Sequence, residues 1–144
     1  QRMHVVAEYE QQDSDTKRAC EAIRNDFGEK VRAIFPDATG NSRKTSNIGG
    51  RSDHALIRNA GFAVYSNPSN PAVKDRFNAV NTAVATGVLT ISPNCKRLTR
   101  YMEQVTQENI KKNESMTHLL DAVGYPVAYL HPIRQIVEQV RNFR

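Results

Sequence analysis

Two acidic positions and one histidine are best suited, by type and placement, to carry chemistry. The first is Asp37, which follows Pro36 at the end of a short apolar stretch, residues 31–35, that is predicted to be a strand. A carboxylate at the carboxyl end of a parallel strand points into the crevice where α/β proteins bind ligands, so Asp37 is a candidate metal ligand. Pro-Asp is also common in turns, and a turn aspartate is the alternative interpretation of this residue.

His118 and Asp121 stand three positions apart near the start of a predicted helix. Residues at this spacing face the same way, so the imidazole and the carboxylate could share a metal ion or its water. The alternative is an ordinary helix start in which Asp121 offsets the helix dipole. Because Leu119 and Leu120 are apolar, this part of the helix is expected to be partly buried, and an ionised carboxylate there needs a partner.

Basic residues are concentrated in the middle of the chain. Residues 31–112 hold 12 Lys/Arg and 5 Asp/Glu, or +7, whereas residues 1–30 sum to −2 and residues 113–144 to zero, which gives the net charge of +5. This distribution predicts a face that meets a polyanion such as nucleic acid; a solvated basic surface is the alternative. Lys111 and Lys112, just before the His118 and Asp121 pair, could hold a scissile phosphate; solvated residues at a helix end are the alternative. The candidates for phosphate-backbone contacts are Arg43, Lys44, Arg51, Lys74, Arg76 and Lys111, with Lys96, Arg97 and Arg100 as further basic positions.

Several functional classes are excluded. The chain has no Gly-x-x-x-x-Gly-Lys-Ser/Thr loop, so it is expected to carry no nucleotide-driven motor of its own. It also has no Gly-x-Ser-x-Gly elbow, which hydrolases use, and no Cys-x-x-Cys pair, which redox and metal sites use. Aromatic residues make up 7% with no tryptophan, which argues against base stacking as the main binding mode. No apolar run approaches the roughly 18 residues of a membrane helix. Cys20 and Cys95 are far apart and are predicted to be small buried residues in a reducing cytosol.

Strands and helices alternate along the chain and are expected to position these residues. The predicted elements are strands over residues 3–10, 31–35, 62–65 and 88–91, and helices from Ser14 or Asp15 to Phe27 and over residues 52–60, 71–85 and 95–111. A last helix is predicted from Thr117, with a kink or break at Gly124 and Pro126. This order indicates one α/β domain over residues 1–144 with a mainly parallel sheet.

The chain resembles the nuclease domain of the large terminase subunit of tailed bacteriophages, which has an RNase H-like fold. Four stretches in the family's order carry the resemblance. They are residues 35–40 (FPDATG), residues 52–54 with 60–62 (SDH and AGF), residues 70–81 (NPAVKDRFNAVN) and residues 117–125 (THLLDAVGY).

The resemblance implies a mixed sheet flanked by helices and metal-dependent DNA cleavage at the carboxyl end of that sheet. Asp37 matches the family's second acid, Asp121 its late acid, and His118 the histidine often found before it. These three residues are therefore the predicted ligands of Mg²⁺ or Mn²⁺, and Lys112 or Lys111 falls near a lysine of some members.

The sequence also departs from the family. Its opening residues 3–8 resemble the family's third strand, so the two preceding strands, the first acid and the ATPase domain of a full terminase are expected to be missing from this chain. Glu8 is a candidate replacement ligand, although a glutamate at a strand end is usually only solvated. We therefore expect weak or absent nuclease activity from residues 1–144 alone.

The resemblance implies that the chain is a metal-dependent endonuclease domain that cleaves double-stranded DNA during phage genome packaging. The expected partners are double-stranded DNA and, in a packaging motor, the portal and the small terminase subunit, with no membrane. The expected location is the cytoplasm of the bacterial host. A non-catalytic module that binds DNA or the portal is the alternative function.

Overall fold

A computed structural model describes residues 1–44 and 48–132 of the chain. The strands in this part are β1 (Met3–Val5), β2 (Ala33–Ile34), β3 (Ala63–Val64) and β4 (Leu89–Ile91). The helices are α1 (Thr16–Phe27), α2 (Asp53–Asn59), α3 (Val73–Ala85), α4 (Lys96–Gln104) and α5 (Glu114–Leu130). The mixed α/β class predicted from the sequence is confirmed.

The chain divides into two compact units, which are described separately. The central unit is Gln11–Asn70, and the flanking unit consists of Gln1–Glu10 and the chain from Pro71 onward. Each unit contains one pair of parallel strands: β2 with β3 in the central unit, and β1 with β4 in the flanking unit. The prediction that residues 1–144 form a single domain stays a prediction.

The central unit packs α1 and α2 around a small apolar core. Asp15 begins α1, because its side chain accepts a hydrogen bond from Arg18 N, and Ser52 begins α2 in the same way by accepting from Ala55 N. The buried residues of this core are Cys20, Ile57 and Phe62. Asp37 follows β2 after Phe35 and Pro36, so the β2–β3 strand pair positions the Asp37 carboxylate.

The flanking unit has the larger core, built from α3, α4, α5 and β4. Its buried residues are Ala79, Val80, Ala83, Leu89, Cys95, Leu98, Tyr101, Leu119, Val123 and Val127. Val123 and Val127 lie one turn apart on α5, and Val127 has no exposed surface. Burial raises the pKa of the thiols of Cys95 here and Cys20 in the central unit, consistent with packing residues.

Four predictions about element boundaries differ clearly from the structure. Helix α5 begins at Glu114, three residues before the predicted Thr117. The first strand ends at Val5, and the side chain of Glu8 beyond it accepts a hydrogen bond from Leu98 N of α4. Helix α4 ends at Gln104, where Thr106 and Asn109 exchange hydrogen bonds between side chains and backbone N–H groups and so compete with further helix. A kink or a break was predicted at Gly124 and Pro126, and the break is absent because α5 continues through both residues. Buried Val123 and Val127 stabilise this stretch, and the kink stays a prediction.

Candidate functional site

Asp37 lies just beyond β2 and begins the single turn Ala38–Asn41. Its Oδ1 accepts hydrogen bonds from Thr39 N at 2.8 Å and from Thr39 Oγ1 at 2.8 Å. Asp37 is therefore a turn aspartate, as the alternative interpretation of the sequence predicts. Because the residue is also exposed, its turn role and a role as a metal ligand are compatible.

Asn70, the last residue of the central unit, fixes the same carboxylate from a second direction. Its Nδ2 donates to Asp37 Oδ1 at 2.7 Å, and its Oδ1 accepts from Ala38 N at 2.8 Å. This reciprocal pair joins residues 33 positions apart. Asn70 lies in a stretch that carried the family resemblance, but nothing in its type or spacing identified this contact beforehand.

His54, on α2, supports the backbone of Asp37. Its ring is buried with 3% exposure, and its Nε2 lies 2.8 Å from the Asp37 carbonyl oxygen. Because a carbonyl oxygen only accepts, Nε2 carries the hydrogen in this arrangement. Asp37 is thus held through both its side chain and its main chain, which gives the carboxylate a defined position.

Gly40 lies against the His54 ring, and its replacement by alanine is expected to destabilise the central unit. A Cβ at Gly40 would stand 2.9 Å from His54 Cδ2 and 3.0 Å from Nε2, closer than packed atoms tolerate. The buried ring has little room to retreat, so the free energy of unfolding should fall by about 1–3 kcal/mol. Urea denaturation measures this change. Gly124→Ala is the control, because a Cβ there would meet Arg76 at an ordinary 3.5 Å. Equal stability of Gly40→Ala and the parent would contradict the close contact.

Asp121, on α5, forms an ion pair with Arg76 of α3. Arg76 Nη2 donates to Asp121 Oδ1 at 2.8 Å, and the exposed fractions of the two side chains are 9% and 30%. This guanidinium is the partner that a partly buried carboxylate requires. Asp121 also lines a cavity of about 290 Å³ formed by residues of α3, α4, α5 and the segment after α4.

The remaining predicted catalytic residues are exposed. His118 lies on α5 three residues before Asp121, and Lys111 and Lys112 lie on the turn Ile110–Asn113 that precedes this helix. Their predicted roles stay predictions. Asp37 lies in the central unit and Asp121 in the flanking unit, and their predicted role as metal ligands also stays a prediction.

The predicted phosphate contacts differ in their surroundings. Arg43, Lys44, Arg51, Lys74 and Lys111 are exposed, as a contact to a DNA backbone requires. Lys44 also forms an ion pair with Asp53, whose other oxygen accepts from Thr16 Oγ1 at 2.8 Å. Arg76 is buried between α3 and α5, and its pairing with Asp121 favours a role inside the unit over a DNA contact.

Glu8, weighed as a replacement ligand, binds the start of α4. Its two carboxylate oxygens accept from Arg97 N at 3.0 Å and from Leu98 N at 2.8 Å. A negative group at a helix N-terminus satisfies N–H groups that the helix itself leaves unpaired. Glu8 is therefore a cap of α4 rather than a solvated residue, and this geometry does not support a role as a metal ligand.

Glu8→Ala should lower the stability of the flanking unit without changing metal binding. Loss of a side-chain cap costs about 0.5–2 kcal/mol, and here two N–H groups lose their acceptor. Thermal unfolding and a Mn²⁺ titration of the same sample measure the two effects. Weaker Mn²⁺ binding at unchanged stability would instead make Glu8 a ligand.

The donor chemistry of the candidate residues fits divalent metal ions. Asp37 and Asp121 offer hard carboxylate oxygens, which Mg²⁺ and Mn²⁺ prefer. The number of donors is small: within residues 1–44 and 48–132 no group of three or more His, Cys, Asp or Glu side chains is placed to hold an ion.

The family model described as the terminase RNaseH-like domain matches residues 1–130 of the 144. The chain belongs to this family. Searches of the curated proteins and of the solved structures gave no match. This match confirms the family predicted from residues 35–40, 52–54 with 60–62, 70–81 and 117–125. The terminase RNaseH-like domain is a nuclease-type domain connected with phage DNA packaging. Among its described helices, none has the length and apolar character needed to span a membrane.

Proposed function

We propose that this terminase RNaseH-like domain cleaves double-stranded DNA with divalent metal ions, Mg²⁺ or Mn²⁺, and that Asp37 and Asp121 supply the carboxylate ligands. The observation that carries the proposal is the arrangement of Asp37. Its exposed carboxylate follows a strand of a parallel pair and accepts hydrogen bonds from Thr39 and Asn70, while His54 holds the main-chain carbonyl oxygen of the same residue. Such surrounding hydrogen bonds orient a ligand before the ion arrives.

The roles of the other residues follow from exposure and charge. Asp37 and Asp121 would hold the divalent ions, whose Lewis-acid chemistry would favour attack by water and departure of the 3′ oxygen of the cut strand. His118 would orient the attacking water, and Lys112 would hold the scissile phosphate. The exposed basic residues would bind the DNA backbone without reading its sequence. The portal and the small terminase subunit would be partners in the host cytoplasm.

The test of cleavage is the nicking of supercoiled plasmid by residues 1–144. We expect weak nicking in Mn²⁺, none in EDTA, and loss of the activity in Asp37→Asn and Asp121→Asn. Nicking that persists in either variant would remove that residue from the proposed site.

The alternative, a packaging module that binds DNA or the portal without cutting, is favoured by one observation. The described residues contain no group of three or more potential ligands, and Asp121 is already engaged by Arg76. DNA binding without nicking at any Mn²⁺ concentration would favour this alternative over weak cleavage. In both cases DNA affinity should fall steeply as salt rises, because backbone contacts release counterions.

A further inference from the structure

We propose that Arg76 is a positioning residue that orients the Asp121 carboxylate toward a divalent metal ion. This inference rests on the proposed function, since it takes Asp121 to be a ligand. Arg76 itself has only hydrogen-bond donors and cannot bind a cation, so any effect on the metal passes through Asp121.

Three contacts fix the guanidinium of Arg76. Nη1 donates to the Pro71 carbonyl oxygen at 2.8 Å, Nη2 donates to Asp121 Oδ1 at 2.8 Å, and the group lies 4.9 Å from the centre of the Tyr125 ring. The side chain thus folds back to the start of its own helix, α3, and reaches α5 from there. The guanidinium is planar and rigid. Because Nη1 is bonded to the Pro71 carbonyl oxygen and the plane lies over the Tyr125 ring, Nη2 has a defined position from which to bind Asp121.

Burial shows which partner positions the other. Arg76 is the buried member, with 9% of its side chain exposed, whereas Asp121 keeps 30% and lines the adjacent cavity. A buried guanidinium is costly unless it is well paired, so the pair constrains Asp121 strongly. The carboxylate at the cavity wall remains within reach of ions from solvent.

The neighbouring glycine fits the same arrangement. Gly124 lies one turn after Asp121 on α5, and a Cβ there would stand 3.5 Å from Arg76 Cβ and 3.6 Å from Cδ. The aliphatic stem of Arg76 therefore runs along the bare backbone of α5. Helix packing and the ion pair together hold the arginine in one conformation.

A titration of residues 1–144 with Mn²⁺, followed by the electron paramagnetic resonance of the free ion, tests the inference. Arg76→Met should weaken Mn²⁺ binding about tenfold, the usual effect of removing a group that orients a ligand. Arg76→Lys should recover part of the loss, because it keeps a charged donor but not the fork. Thermal unfolding of each variant reports stability separately.

Arg24→Met is the matched control. Arg24 also lies over an aromatic ring, 4.2 Å from the centre of Phe62, and donates to the Ala60 and Gly28 carbonyl oxygens, but no candidate ligand is among these contacts. Its loss should lower stability and leave Mn²⁺ affinity unchanged. Equal weakening of Mn²⁺ binding by Arg24→Met and Arg76→Met would show a general loss of structure and overturn the inference.

The outcomes separate this inference from the proposed function. If Asp121→Asn leaves Mn²⁺ affinity unchanged, Asp121 is not a ligand and both fail. If Asp121→Asn weakens Mn²⁺ binding but Arg76→Met leaves it unchanged, Arg76 has no effect on the ligand and the positioning role alone is overturned. If Arg76→Met tightens Mn²⁺ binding, the arginine competes with the ion for Asp121, and the positioning role is overturned as well. If Arg76→Met does not fold, the unaltered chain decides: Mn²⁺ should broaden the Arg76 guanidinium signals in nuclear magnetic resonance more than those of Arg24, and equal broadening would refute the inference.

Discussion

Asp121→Ala is expected to lower the free energy of unfolding of residues 1–144 by about 3 kcal/mol, because it leaves a buried guanidinium without its carboxylate. Arg76 has 9% of its side chain exposed and cannot regain full hydration without opening the contact between α3 and α5. The value is at the lower end for buried pairs, since Asp121 is 30% exposed. Urea denaturation at neutral pH measures the change.

The double variant Arg76→Met with Asp121→Leu is the control for this effect. Replacing both members of a buried pair by apolar residues of similar size is often close to neutral. The double variant should therefore regain most of the lost stability but not Mn²⁺ binding. A loss below about 1 kcal/mol in Asp121→Ala, the range of an exposed pair, would contradict the ion pair described here.

Asp37→Asn is expected to reduce the weak Mn²⁺-dependent nicking by about 10–100-fold, to the level seen in EDTA, while stability changes little. The asparagine oxygen can still accept from Thr39 and Asn70, so the turn after β2 should persist. What is lost is the negative charge that binds the ion. Nicking rates and thermal unfolding of the same preparation measure the two effects.

Asp15→Asn is the matched control, because Asp15 also begins a helical segment of the central unit and asparagine caps helices equally well. It should leave both nicking and stability unchanged. A similar loss of activity in both variants would show that charge in this unit, rather than the Asp37 carboxylate, supports cleavage.

The sequence predicts the starts of α1 and α2 well, because their signals are local. Asp15 and Ser52 each accept from a backbone N–H three residues ahead, and such capping side chains are visible in the sequence. Helix ends that depend on packing are less predictable. Pro126 predicts a break, yet α5 continues because its turn is held by the buried Val123 and Val127.

In the candidate site, too, the residues fixed by local structure are predictable from the sequence and the long-range contacts are not. Asp37 and Asp121 could be selected from the sequence because a strand end and a helix face position them locally. Their partners could not, since Asn70 lies 33 positions from Asp37 and Arg76 lies 45 positions from Asp121. The sequence around a helical arginine does not show whether the side chain faces DNA or a partly buried carboxylate. For this reason Arg76 was predicted to contact the DNA backbone. Glu8 is a similar case, because α4 lies about 90 positions further along.

Mn²⁺-induced broadening of nuclear magnetic resonance signals in residues 1–144 shows whether Asp37 and Asp121 are ligands of divalent metal ions. We expect the signals of Asp37, His118 and Asp121 to broaden at a low Mn²⁺ concentration. Asp37→Asn should remove the broadening at position 37, and Asp121→Asn should remove it at position 121. Broadening that stays unchanged at either position in its own variant would contradict the proposed site.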